Sequence, residues 1–180
     1  MLDVVGLTRS LVGEHTPFLR RYLDSARVAT LRPSLPAVTS TVQASLLTGQ
    51  PPSVHGIVGN GWYDRDDAEI HFWRRSSRHI QAPCLWETAR AIAPDFTTAS
   101  IGLMHSMFST CDYVIAARPS YPADGRKIPD CYGKPNDLRH RLQRDLGTFP
   151  LFKFWGPAAG IESSRWLALA AIKIDQWHEP

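Results

Sequence analysis

The chain has no apolar run near the roughly 20 residues that a membrane-spanning helix needs. Nor does a basic stretch followed by an apolar one mark a secretion signal at Met1. The expectation is a cytoplasmic protein without a membrane partner. Cysteine is scarce: Cys84, Cys111 and Cys131 are odd in number, widely spaced and form no CxxC pair. That excludes a disulfide scaffold or a zinc knuckle and predicts reduced thiols. The histidines His15, His55, His71, His79, His105, His140 and His178 give neither HxH nor HxxxH. A large charge surplus is missing too. Lys and Arg number 20 against 17 Asp and Glu, for a net charge of +3. This supports mild attraction to phosphate-bearing small molecules but not a nucleic-acid-binding arm. Internal repeats and low-complexity segments are absent.

What is present suits one domain with a real core, at 180 residues and 43% hydrophobic. Strand-like and helix-like stretches alternate. Leu2–Leu7 and Arg27–Leu31 read as apolar strands, and Pro17 opens a helix through Phe18–Leu23. Val42–Leu47 and Leu85–Ile92 read as helices, Glu69–Trp73 as a hairpin strand, and Thr97–Leu103 and Tyr113–Ala117 as further strands. Asn136–Leu146 is a charged amphipathic helix. Ser163–Trp177 is a longer one, with Trp166, Leu169, Ile172 and Lys173 at helical spacing. The Pro- and Gly-rich stretch 119–135 predicts a surface loop or cap insertion. The alternation argues for an α/β layered fold with a mainly parallel central sheet, which binds ligands beyond the carboxyl ends of its strands.

Residues 35–64, LPAVTSTVQASLLTGQPPSVHGIVGNGWYD, hold the densest set of signals. The turn Val38-Thr39-Ser40-Thr41 precedes a helix that stops at Thr48-Gly49. Pro51-Pro52, His55-Gly56 and Gly59-Asn60-Gly61 follow. A hydroxyl at a helix start sits at the positive end of the helix, where unpaired N–H groups stabilise an anion. The same hydroxyl suits a plain N-cap. Asn between two glycines reads as a tight turn, or as an amide N–H donor to a charge that builds during reaction.

Taken together, Thr39, Thr48-Gly49, Pro52-Ser53-Val54-His55-Gly56-Ile57 and Asn60 keep the order and spacing of a known pattern. The chain resembles the N-terminal portion of the type I phosphodiesterase / nucleotide pyrophosphatase family, in the alkaline phosphatase superfamily, and is also similar to phosphonoacetate hydrolase. The resemblance extends through Gly59–Asp64, Arg118–Arg126 and Phe149–Gly156. It implies an alkaline-phosphatase-like fold. It also implies metal-dependent hydrolysis of phosphodiester or pyrophosphate bonds in nucleotide-like substrates, with two divalent ions, expected to be zinc. Thr39 becomes the nucleophile and one metal ligand, and Asn60 the phosphoryl contact. Trp62 and Tyr63 border the substrate pocket, while His55 belongs to a structural turn. Ser40 and Thr41 lack the family spacing and read as capping residues. The Arg74, Arg75 and Arg78 cluster reads as a solvated face, and Arg126 and Lys127 as loop charges.

Two departures stand out. The Asp-Gly that ends the family's first strand, whose Asp binds metal, reads Val5-Gly6 here. Asp3, two residues earlier on the same face of the expected strand, is the candidate metal ligand in its stead. A two-zinc site needs about six protein ligands, and the family's Asp-His pair occurs nowhere in the chain. The expectation is therefore residues 1–180 of a larger catalytic domain, impaired alone and prone to self-association through exposed sheet edges. A phosphonate C–P hydrolase, or a catalytically inactive remnant or binding module, are the alternatives.

Overall fold

The computed structural model describes residues 1–180. By chain contacts it divides into Met1–Pro33 and Ser34–Pro180. The first unit contains the short helix α1 (Pro17–Leu23), with Pro17 in its first turn, and a single 3-10 turn at Arg9–Leu11. Neither Leu2–Leu7 nor Arg27–Leu31 is a strand. Val5-Gly6 is instead a turn, with Gly6 at φ +79° and the Leu7 N–H on the Val4 carbonyl. The β-rich composition of these stretches finds no partner strand, and strands exist only in pairs. Asp3 therefore lies on no strand face.

The second unit holds the core. Helix α2 spans Thr39–Thr48 and ends on Gly49 in the left-handed conformation at φ +65°, a standard helix stop. The single turn α3 (Pro52–His55) follows. Strands β1 (Gly61–Asp64) and β2 (Glu69–Phe72) make an antiparallel hairpin, with Trp62 opposite His71 and Asp64 opposite Glu69. Helix α4 (Leu85–Ile92) starts at Cys84, whose N–H is accepted at 2.8 Å by the Glu87 carboxylate.

Strands β3 (Ala99–Ile101), β4 (Tyr113–Ala117) and β5 (Cys131–Lys134) form one sheet in that order, with β3–β4 parallel and β4–β5 antiparallel. Helices α5 (Leu138–Leu146) and α6 (Ile161–His178) complete the chain. The expected loop at 119–135 is an excursion whose last residues form edge strand β5.

Strand β4 is buried on both faces, which is what layering demands of a central strand. Ile115 packs with Cys131, Leu138, Leu142, Phe149, Leu151, Trp166, Ala170 and Ile174. Its neighbour Val114 points the other way, into Leu47, Cys84, Trp86 and Cys111. Helices thus cover both faces of a small sheet that includes parallel pairing. This is the α/β layered arrangement expected, consistent with an incomplete form of the fold that the resemblance implies.

Helix α6 buries Ser163, Trp166, Ala170 and Ile174. The stripe is rotated from the expected one, leaving Leu169 and Ile172 exposed, because the buried positions recur at three, four and four residues. No helix is long and apolar enough to cross a membrane.

Candidate active site

Helix α2 starts from an extended Val38, the N-cap residue, so Thr39 is the first helical residue and its side chain is exposed. No side chain caps this end. The capping role expected of Ser40 and Thr41 is therefore not met. They occupy the next two helical positions, both buried, and the Thr41 hydroxyl has no hydrogen-bond partner. Their small size lets the first turn press into the protein, leaving the Thr39 hydroxyl at the rim.

Asn60 is brought to this turn. Its side-chain oxygen accepts the Ser40 N–H at 3.0 Å, and its carbonyl accepts the Trp73 N–H at 2.9 Å, closing the base of the β1–β2 hairpin. Because Oδ1 is committed to the helix, the two amide donors of Asn60 point away from the Ser40 N–H. Gly61 is required beside it, since a Cβ there would meet the Phe72 ring at 2.6 Å and the His71 carbonyl at 3.2 Å. Gln43, one turn into α2, accepts the Met104 N–H at 2.9 Å and ties the helix to the loop after β3.

His55 holds the turn between α2 and the hairpin. It is fully buried. Its Nδ1 accepts the Ile57 N–H at 3.1 Å, which assigns the neutral tautomer with Nε2–H donating to the Ser45 hydroxyl at 2.9 Å. Both nitrogens are engaged, and burial pushes the imidazole below its usual pKa. A structural role for His55 follows.

The strand alternation of β1 separates Trp62 from Tyr63. Trp62 faces inward, edge-on to the rings of His71 at 5.8 Å and His79 at 5.6 Å. Tyr63 lies on the opposite face and is 61% exposed. The two side chains do not converge on one place. Asp3 belongs to the Met1–Pro33 unit and is partly buried. Arg126 pairs with Asp124 at 2.6 Å on the 120–130 excursion. Arg74, in the Arg-rich stretch, pairs loosely with Glu69 at 3.7 Å.

One group of three metal-competent side chains is present. Asp64, Asp67 and His71 place a donor atom each within 4.8 Å of one another at the hairpin. Sequence spacing hid them, because the hairpin turn and not a helical repeat brings His71 back to the two aspartates. The only available signal was the acidic turn DRDDAEIH, in which an Asx turn at Asp64 was legible. The thiols do not compete as ligands. Burial raises Cys84 to about 12 and Cys131 to about 11, and raises Cys111 as well.

A family model described as type I phosphodiesterase / nucleotide pyrophosphatase matches residues 1–178. The alkaline phosphatase PafA of Elizabethkingia meningoseptica is 50% identical over 32 residues, which cover 18% of this chain and 6% of that protein. The chain thus matches only a small part of that relative's length. No solved structure matches it.

Proposed function

The chain belongs to the type I phosphodiesterase / nucleotide pyrophosphatase family, and we propose that it serves hydrolysis of phosphodiester or pyrophosphate bonds in small nucleotide-like substrates, with Thr39 as nucleophile. One observation carries the reading. The Ser40 N–H to Asn60 Oδ1 bond holds Asn60 at the turn where Thr39 stands exposed.

In the first step the Thr39 oxygen bonds to phosphorus, the bond to the leaving oxygen breaks, and the hydroxyl proton goes to solvent or the leaving group. The positive end of α2 and the Asn60 amide donors hold the non-bridging oxygens as their charge grows. Water then attacks the phosphorus now held on Thr39, which keeps the remainder of the substrate; the water oxygen bonds to phosphorus, the Thr39 oxygen leaves, and a proton passes from the water to the Thr39 oxygen. Trp62 and Tyr63 are the candidate contacts for the remainder of the substrate.

The family is metal-dependent. A divalent ion, zinc by resemblance, lowers the cost of forming an alkoxide from a hydroxyl. Thr39 is the candidate ligand in the Ser34–Pro180 unit. At the start of α2, however, the donors are hydroxyls and an amide. A catalytic zinc takes three ligands of the His, carboxylate or thiolate kind, so these residues alone do not fit two metals at Thr39. That observation favours a second reading, a weakly active or inactive binding module of the same fold that associates through the β3 and β5 edges.

Hydrolysis of a chromogenic phosphodiester, with and without zinc, separates the two. The catalytic reading expects zinc-dependent turnover that disappears in Thr39→Ala, with the phosphate and its remaining ester group attached to residue 39 detectable by mass spectrometry after quenching. Turnover unchanged in Thr39→Ala overturns the nucleophile assignment. No turnover in either protein favours the binding module.

A further inference from the structure

We propose that Asp64, Asp67 and His71 form a site for one divalent transition-metal ion at the β1–β2 hairpin, separate from the Thr39 turn. The inference stands on the hairpin geometry and does not depend on the hydrolase reading.

The site is built from the turn upward. Asp64 ends β1 and its Oδ1 accepts the backbone N–H groups of Asp66 and Asp67, at 3.0 and 3.2 Å. These bonds fix the carboxylate and leave Oδ2 turned toward β2, 3.5 Å from His71 Nδ1. Asp67 comes in from the turn with its Oδ2 3.1 Å from His71 Nε2. The chain needs a positive φ of 53° at Ala68 to return from that turn into β2.

The independent observation is His71 itself. It is 5% exposed, yet its Nδ1 has no hydrogen-bond partner. A buried ring nitrogen left without a partner costs free energy, and here it faces a carboxylate oxygen whose twin is already tied down. Two ligand atoms 3.5 Å apart match the separation of neighbours in a tetrahedral shell of about 2.0–2.2 Å metal–ligand bonds. The third donor, Asp67 Oδ2, rests at the Nε2 edge of the ring and joins a shell built on Nδ1 by swinging round from its exposed position, within 4.8 Å of the other two donors.

The chemistry of the set selects the ion. An imidazole nitrogen with two carboxylates suits zinc and its transition-metal neighbours, whereas calcium and magnesium prefer all-oxygen shells. Three protein ligands leave a position open to water or an external anion. Trp62 and His79 pack edge-on against the His71 ring, at 5.8 Å between centroids in each case, and fix its plane. The same hairpin begins at Asn60, so a loaded site fastens the far end of the element that presents Asn60 to α2.

The test is zinc binding by the purified 180-residue chain, followed by equilibrium dialysis with metal analysis and by the visible absorption of a cobalt-substituted sample. The expected result is one ion equivalent that both His71→Gln and Asp67→Asn remove or weaken. The weakening should exceed the roughly 10–100-fold typical of losing an outer-shell partner. Thr39→Ala should retain that equivalent and the cobalt spectrum. Asp67 is exposed, so Asp67→Asn decides the matter even if the buried His71 variant fails to fold. Absence of any bound zinc or cobalt, or binding equal to the parent's in Asp67→Asn, overturns the site. Absence of phosphodiester turnover from a parent chain that holds this ion would count against the catalytic reading alone.

Discussion

Two polar clusters sit at opposite ends of one short stretch of chain, and their chemistry is opposite. At the start of α2, Thr39 and Asn60 offer a hydroxyl, an amide and the positive pole of a helix, over the buried Ser40 and Thr41. At the hairpin, Asp64, Asp67 and His71 offer carboxylates and an imidazole. The first suits an anion such as a phosphoryl group, and the second suits a cation. Single-domain phosphoryl-transfer sites usually superimpose these two capacities. In this chain they are carried by separate elements joined through Asn60 and the base of the hairpin, so each can be altered with the other left in place.

The sharpest way to break the comparison is Thr39→Ala. It should abolish any zinc-dependent phosphodiester turnover, by about a thousandfold or more, while the hairpin ion stays bound. Asn60→Ala should cost less, on the order of 100- to 1000-fold in turnover as for loss of one oxyanion donor. It should also lower the melting temperature, because the Ser40 N–H and the α2 turn lose their anchor. Turnover kinetics and calorimetry on the same samples check both effects.

Acid should weaken the fold through His105. Its imidazole is 1% exposed, and neither ring nitrogen has a hydrogen-bond partner. Burial is the main cause that lowers its pKa to about 4; the Ser76 backbone, the next cause in size, pulls upward, and His79 and then His55 lower it further. The unfolded chain takes up this proton below about pH 6.5 and the folded chain only below about 4. The contribution to stability is therefore full above pH 6.5 and lost as the pH falls toward 4. At about 1.36 kcal/mol per unit this amounts to about 3 kcal/mol. Burial lowers His79 and His55 in the same direction. Denaturant unfolding from pH 7 to pH 4.5 should show the fall, and His105→Gln should flatten it.

The smallest effect is expected at Tyr63. Its side chain stands on the solvent face of β1, so Tyr63→Ala should change stability by within about 0.5 kcal/mol. If it contacts substrate, the Michaelis constant should rise with kcat unchanged. An unchanged Michaelis constant would remove Tyr63 from the pocket.

Where side-chain periodicity and turn chemistry act locally, the sequence was readable. Gly49 stops α2, Pro17 opens α1, and β4 is the short apolar run that a doubly covered strand requires. Asn60 meets the N–H of Ser40, the residue after Thr39, because α2, the single turn of α3 and the β1 strand are each short. Leu2–Leu7 misled for a physical reason: β-propensity records fitness for a sheet, and no strand partner meets this segment. The shifted stripe on α6 and the hairpin cluster were hidden for a related reason. Which face of a helix is covered, and which residues a turn folds together, are set by neighbours distant in sequence.

The three buried thiols carry a practical consequence. Cys131 lies in the apolar layer under α5 and α6, and Cys84 and Cys111 lie in the layer under α2 and α4. Protonated and covered, they should resist alkylation in the native protein. Their labelling rates then time the opening of each side of the sheet separately, so the wild-type sequence already contains one chemical stopwatch for each half of its core.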